Sequence, residues 1–361
     1  MQAPDIVEAM TPVPKADKPK FEDLGELPSP LLQAKSRWTA VRWSELPGFE
    51  SDALFEAWNA RLKSCERPGP VFAPLCGEVR RLSISGDDAQ RAWMQQRLQP
   101  YRVDALQGST DGLLTAYFEP VLTGSRTPSA EFSVPLYQLP LGLTPRKPWF
   151  TRQEIDSSPA VKAALKGREI AYLADPIDAL VLQIQGSGRL QFKEPDGTQT
   201  TVRLAFAGSN EQPYKSVGKW LLDQGAVREA SWPTIKAWIA RNPTRVNELL
   251  WSNPRTVFFR EERLSGLDAA FGPRGAQGVP LTPGRSIAVD PGSIPYGTPV
   301  WLASKGPGVN LQKLVLAQDT GSAIVGAVRA DYFVGWGTEA GELAGRFKQP
   351  LSLWVLWPKQ P

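Results

Sequence analysis

Apolar and polar positions alternate cleanly in "GLLTAYFEP" at 112–120. Leu113, Thr115 and Tyr117 fall on one face, and Leu114, Ala116 and Phe118 on the other. That period of two predicts a strand, stopped by Pro120. Upstream the period is helical. "SDALFEAWNARLK" at 51–63 gathers Leu54, Phe55, Trp58 and Leu62 on one face. "GDDAQRAWMQQRL" at 86–98 predicts a second helix with Asp87 or Asp88 as N-cap. Trp58 and Trp93 read as core residues of these helices, and ordered structure is expected to start near Trp38.

Beyond Pro120 a proline-rich stretch, "VPLYQLPLGLTPRKPW", marks a candidate domain boundary. From Ile177 the run "IDALVLQIQGSGRLQF" reads as a strand with a glycine bend. The turn "EPDGT" and the strand "TVRLAFAG" then complete a hairpin. Short helices are expected in "YKSVGKWLLDQG", ending at Gly225, and in "SWPTIKAWIARNP" and "TRVNELLWSNP". "TVFFR" at 256–260 returns to strand. The last hundred residues alternate short strands with Gly/Pro turns, which fits a closed barrel.

Composition narrows the chemistry. The 361 residues can bury a substantial core, in two domains or in one with a large insertion, and 31 Gly with 34 Pro favour a β-rich fold with many turns. There is no histidine, which removes Ser-His-Asp and Cys-His nucleophile systems and any zinc site with a His ligand. Acid–base work near neutral pH then falls to Asp, Glu, Lys, Tyr or Cys. The net charge of +4 is scattered, and no nucleic-acid-binding pattern occurs. Cys65 and Cys76 form no CxxC motif; a local disulfide and two buried thiols both fit the spacing. No apolar run reaches membrane-spanning length, and the Pro/Lys/Asp-rich opening lacks a hydrophobic signal region. Residues 1–34 read as a flexible lead-in.

Three aspartates stand out in Gly-rich, apolar settings: Asp290 in "AVDPGS", Asp319 in "AQDTGS" and Asp331 in "VRADYF". Asp before Gly or Pro commonly caps a turn, which suits Asp290 and Asp319. A hard-cation site is a second reading, but the spacing fits no EF-hand. The third is acid catalysis by a carboxyl whose pKa is raised by apolar surroundings.

Several ordered segments resemble the MltA family of lytic transglycosylases, which cleave bacterial cell-wall peptidoglycan. "GLLTAYFEP", "LQIQGSGRL", "YKSVGKWLLDQG", "AVDPGSIPYGTPVWL", "AQDTGSAIVGAVRADYFVGWGTEAGELAG" and "LWVLWP" follow in the family's order, over roughly residues 35–358. Ala116 departs from the glycine common in relatives. The resemblance implies a mostly β fold with a few short helices. A double-psi β-barrel would comprise 35–120 plus 261–361, with a second β-rich domain inserted at 121–260 and a glycan groove between them.

The resemblance also assigns roles. Asp331 becomes the catalytic acid, with Asp319 and Asp290 supporting it, and Tyr332 and Phe333 are expected to desolvate Asp331. Thr115, Tyr117, Gln185, Gly186, Ser187 and Gly188 would line the groove, the glycines letting a sugar approach the backbone; Ser216 and Lys219 are further candidates. No cofactor or metal is implied. The expected reaction is cleavage of the MurNAc-β-1,4-GlcNAc bond with formation of a 1,6-anhydro end. A hydrolase using Asp331 with Asp319, and a non-catalytic peptidoglycan-binding module, are the competing readings. The expected partner is the glycan strand, with other cell-wall enzymes as further partners. The expected location is the periplasm, associated with the outer membrane through an anchor whose lipoprotein-type cysteine the opening segment lacks. In that oxidising compartment Cys65 and Cys76 are expected to pair.

Overall fold

The structure is a computed structural model. It describes residues 23–306 and 309–359; most of the expected lead-in lies outside them. Within the described part, β1 (Leu31–Leu32) pairs with β2 (Ser36–Ala40). Regular structure thus begins ahead of Trp38. Asp23 is tied down as well, its carboxylate accepting from the Trp43 N–H at 2.9 Å.

Three helices follow: α1 (Leu54–Ser64), α2 (Cys76–Arg81) and α3 (Asp87–Arg97). Their buried face is Leu54, Trp58, Val79, Trp93 and Met94, packed on Trp301, Leu314 and Trp354 of the main sheet. The Trp58 and Trp93 rings meet edge to face at 5.8 Å. Two local expectations need correction. Phe55 lies off this face and is 59% exposed. Neither Asp87 nor Asp88 is the N-cap of α3; Gly86 is, and Asp87 instead accepts from the Phe55 N–H at 3.0 Å. Cys65 and Cys76 are joined in a disulfide between the end of α1 and the start of α2.

β3 (Leu98–Ala105) and β4 (Gly112–Glu119) continue the main sheet, and β5 (Val121–Gly124) begins a second one. The second region holds β6 (Val134–Tyr137), α4 (Arg152–Ser157), α5 (Pro159–Leu165), β7 (Glu169–Leu173) and α6 (Pro176–Gln185). It continues with β8 (Ser187–Lys193), β9 (Gln199–Ser209), α7 (Val217–Asp223), α8 (Trp232–Arg241), α9 (Val246–Ser252) and β10 (Val257–Arg263). Its sheet has the order β10-β9-β8-β5, and β6 with β7 forms a separate ribbon. β10 runs on to Arg263, past residue 260.

The expected strand from Ile177 is helix α6. Asp175 caps it by accepting from the Ile177 N–H at 2.8 Å, and Pro176 occupies its first turn. Ile177, Leu180 and Val181 are buried at helical spacing. Gly186, at φ +82°, ends the helix. A continuous apolar run does not distinguish strand from buried helix by period alone. The hairpin expected next is present as β8 and β9. The fold as a whole is mixed and not mostly β: helix and strand each account for 31%.

The chain then returns to the main sheet with β11 (Ser286–Val289), β12 (Pro299–Lys305), β13 (Asn310–Asp319), β14 (Arg329–Trp336), α10 (Gly337–Ala344) and β15 (Lys348–Pro358). β15 is its closing element. One edge pairs with β12, and the other pairs with β4 through Lys348–Leu351 and with β3 through Trp354–Pro358. The strands β15-β12-β13-β11-β14-β4 thereby form a closed ring, in which β11–β13 and β14–β4 are parallel. Leu114, Ile287, Val289, Val315, Ala330 and Tyr332 fill its interior, so residues that alternate with these face outward.

Candidate active site

Register places four of those outward residues in one row. Asp319 on β13 lies opposite Ala288 on β11, Ala288 opposite Asp331 on β14, and Asp331 opposite Thr115 on β4. Strands are spaced about 4.8 Å apart, so two spacings put the aspartate backbones about 10 Å apart. Ala288, the residue between them, has only a methyl group.

Asp331 is half-buried. Its Oδ1 accepts from the Thr115 hydroxyl at 2.5 Å; among the described residues no hydrogen bond reaches Oδ2. Thr115 Oγ1 in turn accepts from Arg329 Nη2 at 2.8 Å. Burial raises the Asp331 carboxyl above its ordinary value, opposed by the Thr115 hydrogen bond and the Arg329 charge. Asp319 is engaged on both oxygens: Tyr117 Oη donates to Oδ2 at 2.9 Å and the Ala276 N–H to Oδ1 at 2.9 Å. Burial nevertheless pushes its carboxyl up to about 6, against the Thr320, Tyr117 and Ala276 donors and with help from the Asp331 charge. Burial and both carboxylates hold the Tyr117 phenol well above its ordinary value, so it stays a donor.

Asp290 stands apart from this row. It is 4% exposed, pairs with Lys35 at 2.8 Å and accepts from the Gly292 and Gly326 N–H groups. Burial pushes its carboxyl up, but Lys35 and the two amides outweigh that and hold it below the ordinary value. Asp290 therefore braces the loop leading into β14.

The expected desolvating pair divides. Tyr332 points into the ring, its hydroxyl on the Gly284 carbonyl at 2.8 Å. Phe333 shares the outward face with Asp331 and lies 5.3 Å from the Tyr117 ring. Alternation along a strand dictates this split.

The other groove candidates occupy the second region. Gln185 Oε1 accepts from the Phe118 N–H at 3.0 Å, fastening the end of α6 to β4. Gly186 ends that helix. Ser187 is 5% exposed. A Cβ on Gly188 would lie 2.2 Å from Leu182 Cδ1, so its missing side chain makes room for a neighbouring leucine. Ser216 caps α7 by accepting from the Lys219 N–H, and the Lys219 ammonium pairs with Asp223 one turn on. Neither is joined by a described hydrogen bond to the acidic row.

Two features escaped the sequence reading. One is Arg329, whose position two residues before Asp331 on a strand puts it on the same face. The other is a buried cluster at the junction of the sheets. Glu119, 0% exposed, receives Arg189 at 2.9 Å and Arg203 at 2.6 Å. Both arginines also donate to the Phe271 carbonyl, and Arg189 lies 3.8 Å over the Trp336 ring. No local motif announces Glu119, which reads as an ordinary strand end. Among the described residues no group of three or more acids and cysteines is placed to hold a metal ion. A cavity of about 1020 Å³ lies away from all three acids, lined by residues such as Ser304, Gln312 and Ser352.

Residues 113–260 match the family profile described as the MltA specific insert domain, and residues 285–357 match the 3D domain. A protein of Vibrio cholerae, membrane-bound lytic murein transglycosylase A, is 33% identical over 299 residues, covering 79% of this chain and 76% of its own. The chain belongs to the MltA family. Among solved structures, MltA from Neisseria gonorrhoeae is similar with a TM-score of 0.77 at 29% identity, covering 93% of this chain and 96% of that one. Escherichia coli MltA with bound chitohexaose is similar with a TM-score of 0.72 at 26% identity, over 90% and 95% of the two chains. In MltA terms, the matched insert segment begins on β4, where Thr115 and Tyr117 lie, and the 3D segment carries all three aspartates. The acidic row is thus built across the two.

Proposed function

We propose that this protein is a peptidoglycan lytic transglycosylase that uses Asp331 as acid and then as base. The relatives' names, and the oligosaccharide bound to the E. coli protein, supply the substrate class. The observation that carries the assignment is the contrast between the two carboxyls. Both oxygens of Asp319 are occupied by donors, whereas Asp331 has one oxygen held and, among the described residues, no hydrogen bond to the other.

In the proposed cycle protonated Asp331 donates to the bridging oxygen of the MurNAc-β-1,4-GlcNAc bond. The C1–O4 bond breaks, and positive charge develops at C1. The MurNAc 6-hydroxyl then forms the C1–O6 bond, and Asp331 recovers a proton from it. No water is consumed, and the nucleophile is tethered to the reacting ring, so proximity supplies much of the activation. Asp319, held by Tyr117, stabilises the developing cation. A hydrolase would need Asp319 to activate water, and the donors from Tyr117 and Ala276 that already hold both its oxygens weaken it as a base.

The proposed architecture is a double-psi barrel, supported by the six-stranded ring with two parallel pairs. The glycan lies between this barrel and the inserted region at 121–260, passing Thr115 and Tyr117. The proposed location is the periplasmic side of the outer membrane. Among the described residues no helix is long and apolar enough to cross a membrane.

Digestion of purified peptidoglycan followed by mass spectrometry tests the reaction. The expected muropeptides are lighter by one water than hydrolytic products and lack a reducing end. Reducing products would establish the hydrolase instead, and absence of release would leave a binding module.

A further inference from the structure

Arg329 has no place in the cycle above, yet it is directed at the acid. Its Nη2 donates to Thr115 Oγ1 at 2.8 Å, and that hydroxyl is 2.5 Å from Asp331 Oδ1. A threonine hydroxyl has one proton and two lone pairs. With Arg329 donating to one lone pair, the proton has Asp331 Oδ1 as its described acceptor. The guanidinium also polarises the O–H bond and strengthens that donation. Arg329 is itself fixed, a second amino group donating to the carbonyl of Ala330.

We propose that Arg329 is a positioning residue for the catalytic acid, acting through Thr115 to hold Asp331 Oδ1 as an acceptor and so confine the transferable proton to Oδ2. The chain Arg329–Thr115–Asp331 is a one-way relay of donors. It serves both halves of the cycle. In the acid half, it presents the proton on the oxygen with no described partner. In the base half, it stabilises the carboxylate that has just formed. This rests on the reading of Asp331 as acid and base.

The groups facing Asp331 come from each neighbouring strand. β4 supplies Thr115 and Tyr117, and β13 supplies Asp319, whose own carboxyl responds to the charge on Asp331. β11 supplies Ala288, which does not titrate, and Lys348 of β15 stands at the register position beyond Thr115. Arg329 is the cation that acts on Asp331 from its own strand.

The test is the pH profile of kcat/KM for muropeptide release, measured for the wild type, Arg329→Met, Arg329→Lys, Thr115→Val, Thr115→Ser and the double variant Arg329→Met/Thr115→Val. Arg329→Met is expected to lower kcat/KM roughly ten- to hundred-fold, the range for a hydrogen bond to a charged group. It should also move the alkaline limb to higher pH, because the carboxylate loses support. Arg329→Lys and Thr115→Ser should each restore part of the rate. The double variant should be little worse than Thr115→Val, since the relay is already cut. An unmoved limb together with additive losses would overturn the relay and make Arg329 a direct substrate contact or a structural residue. If Arg329→Met does not fold, the comparison is made with Arg329→Lys. Additive losses of Arg329→Lys and Thr115→Val in the corresponding double variant overturn the relay equally. Product identity from the wild type reports separately on the reaction class, so failure of one reading does not hide failure of the other.

Discussion

Tyr117 holds Asp319 by its hydroxyl, at 2.9 Å, and covers the same face as Asp331 with its ring, packed 5.3 Å from Phe333. One side chain thus links the two carboxyls without joining them. Tyr117→Phe keeps the ring and removes the donor. Its expected effect is a roughly ten-fold loss of turnover with binding nearly unchanged, because a carboxylate that stabilises developing charge acts in the transition state. Single-turnover rates and oligosaccharide affinity measure the two separately.

Asp331→Asn removes the transferable proton and keeps the shape. Turnover on peptidoglycan should fall by about 10²–10⁴-fold, the usual range for a lost general acid. Folding and glycan binding should survive, as thermal melts and affinity measurements would record. Undiminished muropeptide release would remove Asp331 from the reaction.

Stability should depend on pH through Asp319. Its carboxyl is raised from 3.8 to about 6 in the folded protein. The folded state therefore keeps a proton that the unfolded chain has released. The resulting stabilisation is fully present below pH 3.8 and is lost as pH rises through about 6. Melting temperature corrected for other groups should fall across that window. Asp319→Asn should flatten the fall, and an unchanged slope would show that Asp319 is not the group responsible.

Glu119 is buried against two arginines, and removing one member of such a cluster leaves uncompensated charge. Glu119→Ala should cost about 3–5 kcal/mol in denaturant unfolding, more than typical surface changes. Because Glu119 stands where β4 leaves the ring and its arginines rise from β8 and β9, activity should also fall through misalignment of the two sheets. A variant with wild-type stability would mean that water or another acid replaces it.

The Cys65–Cys76 bridge closes a short loop between α1 and α2. The double serine variant should lose roughly 2–3 kcal/mol on the chain-entropy account of disulfides. Wild-type protein with added reductant should match it in thermal melts.

The segments that carry the acidic row stood out from the residues, because their patterns are local, while the roles given to them came from the family resemblance. The alternation through Thr115 and Tyr117 marks β4, and the turn residues after Asp290 and Asp319 distinguish their settings from that of Asp331. The spacing of Cys65 and Cys76 left a disulfide and two thiols both open, and only the compartment implied by the resemblance favoured the bridge that is present. What local pattern could not carry was long-range pairing. The row from Asp319 to Thr115 depends on the register of four strands, and the Glu119 cluster on two sheets meeting. The error at α6 had a different origin. Its apolar run suits a strand and a buried helix equally, and the deciding signals were the small ones, Asp175 as cap with Pro176 behind it. The packing purpose of Gly188 was equally hidden, because it depends on what fills the missing side chain, here Leu182.

Thr115 and Asp331 lie 216 residues apart in sequence, and β15, which fastens their strands into a ring, is made after both. While the chain is being synthesised, β4 waits as an open edge through the whole of the second region. Its contacts with β14 and β15 both span long loops, which form slowly. The acid therefore has no threonine partner, and the threonine no arginine, until β14 has been made and has paired with β4. The row from Asp319 to Thr115 is in this way one of the last parts of the molecule to come together.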